Sequence, residues 1–113
     1  MLGYKVVRLI YGDDDEIRYR SAYKLGNPVY YEIGKKTNRP DNCGPLAVFD
    51  LLVYASSFMR ESSIQYGEFA IFECDYEPTT GKKELWCESH KIRILKLPLG
   101  TNFADSVTLI RRL

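Results

Sequence analysis

Apolar and polar positions along this chain fall into short runs, and most of the runs have the period of a strand. Residues 3–10, Gly-Tyr-Lys-Val-Val-Arg-Leu-Ile, are rich in β-branched and apolar side chains and predict a buried strand. Gly12-Asp13-Asp14-Asp15-Glu16 predicts a turn, because Gly and Asp favour turns and adjacent like charges stay in water. Residues 17–24 alternate, with Ile17, Tyr19, Ser21 and Tyr23 on one face and Arg18, Arg20, Ala22 and Lys24 on the other. That alternation predicts a second strand, paired with the first as a hairpin. Gly26-Asn27-Pro28 breaks it, residues 29–33 predict a short third strand, and Gly34 ends that strand.

Residues 34–45 have no periodicity and predict a loop, long enough to suggest a function on length alone. Residues 46–49 predict a short apolar strand. Asp50 follows as an expected N-cap, its carboxylate accepting the free amide hydrogens of a helix over about 50–60. Leu51, Leu52, Ala55, Phe58 and Met59 fall at helical spacing and form its expected buried side. Residues 68–77 predict a further strand, with Ala70, Phe72, Cys74 and Tyr76 on one face and Glu73, Asp75 and Glu77 on the other. Residues 84–97 hold one or two strands. Residues 107–113 predict a last strand, expected at an edge where it would pair with a second copy of the chain. The expected fold is one α+β domain over 1–113. It is a predominantly antiparallel, twisted sheet of about six or seven strands, with one main helix packed on it.

Charge and cysteine usage narrow the function classes. A net charge of +1 gives no bulk field to recruit nucleic acid or an anionic membrane, so neither is an expected partner. No run of about 18 apolar residues predicts a spanning helix, and the opening residues lack the apolar core of a signal peptide. Three cysteines at irregular spacing argue against a disulfide framework and for a reducing cytoplasm. Nine tyrosines suit half-buried strand surfaces and recognition.

Few side chains propose chemistry. His90 is the only histidine, in a polar stretch expected at the surface. Cys87-x-x-His90 has a spacing zinc can use, with Cys43 and Cys74 to complete four ligands, but the latter two stand alone in the sequence, so no metal is expected. Asp13-Asp14-Asp15-Glu16 lacks the alternating acids of a calcium loop. Gly34-Lys35-Lys36-Thr37 lacks the first glycine of a phosphate loop, since Val29 stands there. Glu73, Asp75 and Glu77 recur about 7 Å apart along one strand face. They suit a cation or a general base, or else a solvent face paired with Arg18, Arg20, Lys24, Lys91 or Arg93. The basic residues of 18–24 and the tyrosines among them point to opposite faces, which argues against a stacking groove for single-stranded nucleic acid.

Several short segments resemble a loose group of small uncharacterised proteins common in phages and prokaryotic viruses. They are Tyr4-Lys5-Val6-Val7-Arg8, Ser21, Tyr31-x-x-Gly34, Gly44-Pro45-Leu46-Ala47-Val48-Phe49-Asp50, Ala55 with Phe58, Ile71-Phe72-Glu73-Cys74 and Gly100-Thr101. The resemblance implies an accessory protein of viral type, in a host cytoplasm, and no particular reaction. Arg8, Ser21 and Glu73 (or Glu77) also resemble, in order and strand placement, the NAD-binding and catalytic positions of the ADP-ribosyltransferase fold. That likeness implies NAD as cofactor and those residues as its site. Two expectations follow. The preferred one is a non-enzymatic binding protein without a cofactor. It engages a protein or small ligand through the 34–45 loop, with Lys35, Lys36 and Arg39, through the Tyr-rich strands, with Tyr30 and Tyr31, and through Glu73, Asp75 and Glu77. The alternative is a diverged NAD-using transferase on Arg8, Ser21 and Glu73.

Overall fold

The computed structural model describes residues 1–22, 28–81, 83–87, 92–94 and 97–113. Among these residues nine strands and one helix follow in the order β1 (Leu2–Tyr11), β2 (Ile17–Ser21), β3 (Tyr30–Tyr31), β4 (Lys36–Asn38), β5 (Leu46–Phe49), α1 (Leu52–Tyr66), β6 (Phe69–Pro78), β7 (Leu85–Cys87), β8 (Ile92–Ile94) and β9 (Thr101–Arg112). Seven of the strands form one antiparallel sheet, and β7 and β8 form a separate two-stranded hairpin. The fold is therefore α+β, as the alternation along the chain implies.

Pairing closes the larger sheet partly into a barrel. One edge of β1 carries β6 from Leu2 to Arg8; the other carries β5 at Tyr4 and β2 from Val7 to Tyr11. One edge of β9 carries β6; the other carries β5 and then β4. The ring β1–β6–β9–β5 thus returns to its start. Register shifts at Glu73/Cys74 and Glu77/Pro78 bend β6 around that ring, as bulges do.

Alternation within each strand then sorts side chains into an interior and an outer face. Val7, Leu9, Tyr31, Leu46, Val48, Phe72, Cys74, Tyr76, Val107 and Leu109 fill the interior. Phe72 is fully buried and meets Tyr19 edge-on, with ring centroids 4.8 Å apart. On the outer face Val6, Phe49 and Ile71 receive Ala55, Phe58 and Met59 of α1. Gly100, at φ +82°, lets the chain turn directly against this helix; a Cβ there would lie 2.1 Å from the Tyr54 ring.

Several expected details differ. Asp50 does not cap α1: Leu51, in extended backbone, is the N-cap, and no side chain caps the helix. With the start shifted, Leu51 and Leu52 lie exposed, and only Ala55, Phe58 and Met59 of the expected apolar side face the sheet. The helix also continues past Arg60 to Tyr66. The 34–45 region is not all loop, because Lys36–Asn38 pair with Ser106–Thr108 as β4. The last strand starts at Thr101, and only its end beyond Leu109 keeps a free side. From Thr101 to Leu109 that side is taken by β5, by β4 and by the Gly34 amide, which donates to the Leu109 carbonyl at 2.8 Å. The tail of the expected second strand, Tyr23 and Lys24, lies outside the described residues.

Candidate functional site

Three strands bring polar side chains into the barrel interior. On β1, Lys5 is in phase with Val7 and Leu9 and is only 2% exposed. On β2, Ser21 stands opposite Val7 and is likewise buried. On β3, Tyr31 stands opposite Tyr19 and is 3% exposed.

Beside Ser21, the 40–46 segment runs against β7. The Cys43 amide donates to the Pro40 carbonyl at 3.3 Å, and Asn42 takes the left-handed conformation that turns the chain. The Gly44 amide donates to the Trp86 carbonyl of β7 at 2.8 Å. A Cβ on Gly44 would lie 2.5 Å from the Trp86 ring, so glycine here lets the indole rest against the backbone. Between segment and strand lies a cleft of about 40 Å³, lined chiefly by Ser21, Cys43, Gly44, Leu46, Ala47 and Trp86.

Two lining residues connect the cleft with the buried polar groups. The Ala47 carbonyl accepts a hydrogen bond from Lys5 Nζ at 2.5 Å. Ser21 lies beside the Tyr31 hydroxyl and acts on its ionisation. Lys5 Nζ also stands 5.3 Å from the centre of the Tyr31 ring, within cation–π range. Burial lowers the Lys5 pKa from 10.5 to about 8, opposed by the nearby Cys74 thiol. Burial pushes Cys74 up to about 11 and raises Tyr31 as well. Among the described residues no carboxylate pairs with Lys5, and the Tyr31 hydroxyl has the Ser21 hydroxyl beside it, too poorly placed for a well-formed hydrogen bond. A buried ammonium without a counter-ion and a buried hydroxyl without a well-formed hydrogen bond are both unfavourable.

The residues expected at a site are dispersed. Ser21 is inside the barrel, whereas Arg8 and Glu73 lie in the opposite strand phase, on the outer face. Glu73 accepts from Arg111 Nε at 2.7 Å, and Arg8 lies near Gly67 at the end of α1. The three share no cleft. The acidic row is neutralised throughout: Glu73 by Arg111, Asp75 by the Met1 ammonium at 2.6 Å, and Glu77 by Lys36 at 2.5 Å. None of these partners is among the bases expected from the sequence. In the 34–45 region, Lys35 pairs with Glu32 at 2.8 Å and Arg39 with Asp105 at 3.5 Å, so its cations are engaged. Tyr30 is exposed and Tyr31 is buried, so the adjacent tyrosines serve opposite faces.

Lys5 and Trp86 did not stand out in the sequence. Lys5 carries a signal: it shares the strand phase of Val7 and Leu9. Trp86 carries none beyond being the single tryptophan.

For the zinc set, His90 lies outside the described residues, and so does the Cys87 side chain. Cys74 is sealed in the barrel, Cys43 lines the cleft, and the two form no disulfide. Among the described residues no cluster of His, Cys, Asp and Glu could hold a metal. No described helix is long and apolar enough to cross a membrane. Comparison with protein-family models, curated proteins and solved structures returned no match.

Proposed function

We propose that this chain is a non-enzymatic binding protein that seats a small group of its ligand in the cleft between residues 40–46 and Trp86. The observation that carries the reading is the cleft itself, whose apolar rim leads to the Ser21 hydroxyl with the buried Tyr31 hydroxyl beside it. An apolar recess with a few buried polar groups is the usual form of a recognition site. At about 40 Å³ the recess takes a few heavy atoms, so the rest of the ligand lies outside, over Pro40, Pro45 and Trp86. A wider groove of about 310 Å³ runs between α1 and β6, but it is mainly apolar and reaches no buried polar group. The resemblance to small phage and prokaryotic-virus proteins makes an accessory role the natural context. An NAD-using transferase lacks support in the geometry, because Arg8, Ser21 and Glu73 do not converge.

Trp86 makes the test direct, since the single tryptophan lines the cleft. Titration of fragment and short-peptide collections should yield ligands that shift Trp86 emission saturably. Fragments that bind without moving that emission would place recognition elsewhere and refute the reading.

A further inference from the structure

We infer that the group seated in this cleft is a carboxylate, carried on a small apolar acid or on the end of a peptide. The inference rests on the binding reading above and adds the ligand's chemistry.

The buried polar groups behind the cleft wall have donors to spare. An ammonium has three N–H donors, and Lys5 gives one to the Ala47 carbonyl. The Tyr31 hydroxyl is buried, with the Ser21 hydroxyl beside it too poorly placed for a well-formed hydrogen bond, and Ser21 lines the cleft. The one other titratable group acting on Lys5 is Cys74, whose thiol burial keeps protonated, so it brings no counter-charge. What complements such a wall is a group that only accepts and carries negative charge. An ionised carboxyl meets that description.

Size and rim agree. A carboxylate is three heavy atoms and fits a recess of about 40 Å³. The carboxylate takes the Ser21 hydroxyl directly. Lys5 and Tyr31 stand behind Ser21 and the Ala47 carbonyl, and their charge and dipole act through a dry interior that screens them little. The rim of Val29, Pro40, Pro45, Leu85 and Trp86 is apolar, so the carrier of the carboxylate is apolar where it meets the protein.

The experiment compares acids with their neutral amides at matched ionic strength, reading Trp86 emission: acetate, propionate and benzoate against acetamide, propionamide and benzamide. A second arm compares short peptides ending in a free carboxylate with the same peptides ending in an amide. Acids should bind at least about tenfold tighter than amides, the value of a charge-assisted hydrogen bond. Lys5→Met should abolish that preference, and Tyr31→Phe, which removes one oxygen and keeps the ring, should reduce it several-fold. Near-ultraviolet circular dichroism verifies that each variant is folded. Binding by the free acids assigns a small-molecule source, and binding by acid-ended peptides alone assigns a protein source. Amides binding as well as acids, or an acid preference that survives Lys5→Met, overturns the carboxylate while leaving the cleft as a binding site. No response of Trp86 to any of these compounds overturns the carboxylate too. The cleft reading itself falls only if the wider collections bind without moving Trp86.

Discussion

Replacing Lys5 by methionine removes a buried charge and keeps the length of the side chain. Folding moves the Lys5 pKa from 10.5 to about 8, a displacement caused by burial and worth about 3 kcal/mol. The sign follows from proton counting. Between pH 8 and 10.5 the unfolded chain holds the Lys5 proton more tightly than the native barrel, so stability rises with pH across that window. Below about pH 8 the full cost is present; above 10.5 it is gone. Lys5→Met removes the cost at neutral pH but also the hydrogen bond to Ala47, which offsets about 1–3 kcal/mol of the gain. The pH dependence is therefore the cleaner readout. Urea denaturation of both proteins, with reductant, should show the variant's stability relative to wild type falling by about 3 kcal/mol as pH rises from 7 to 10.5. Cys74, raised from 9.0 to about 11, works the other way above pH 9, because its unfolded thiol loses its proton first. That term is common to both proteins and largely cancels. A difference that stays constant with pH would show that Lys5 is solvated, and would remove the basis for a buried ammonium.

Phe72→Ala should cost about 3–5 kcal/mol in chemical denaturation, because it empties the centre of the barrel and strands the Tyr19 ring. Gly44→Ala should drive Trp86 off the 40–46 segment, seen as a red shift of its emission and weaker ligand binding, with the far-ultraviolet spectrum unchanged. Glu77→Gln breaks a solvent-exposed pair with Lys36 and should change the urea midpoint by no more than about 0.5 kcal/mol equivalent. A larger loss would mean that the acidic row carries more than surface charge.

Much of the sheet was legible because its strands alternate cleanly. β1, β5 and β6 stand where their apolar phase put them. The misses have physical causes. Lys36–Asn38 carries no apolar signal; it is a strand because Ser106–Thr108 supplies its hydrogen bonds and Glu77 pairs Lys36. The first half of β9, Thr-Asn-Phe-Ala-Asp-Ser, reads as polar for the same reason, since ladders on both edges hold it. Tertiary pairing overrode local preference there. At α1 the apolar spacing ends at Met59, which predicted an end near residue 60, yet the helix runs on to Tyr66.

The candidate site was less legible. The sequence divided β2 correctly into a Tyr19/Ser21 face and an Arg18/Arg20 face, but nothing in it told which face closes inward. Ring closure decides that, and it depends on the pairing of β1 and β9 with partners far apart in the chain. The same closure turned Lys5 from an ordinary strand lysine into a buried ammonium, and it placed Ser21 away from Arg8 and Glu73.

Recognition is proposed where residues 40–46 meet Trp86. Amide and indole chemical-shift mapping with any ligand found by titration tests it most directly. Perturbations should concentrate at Ser21, Gly44, Leu46, Ala47 and the Trp86 indole, with the outer face of α1 silent. Perturbations centred on the groove between α1 and β6, with Trp86 unmoved, would contradict it.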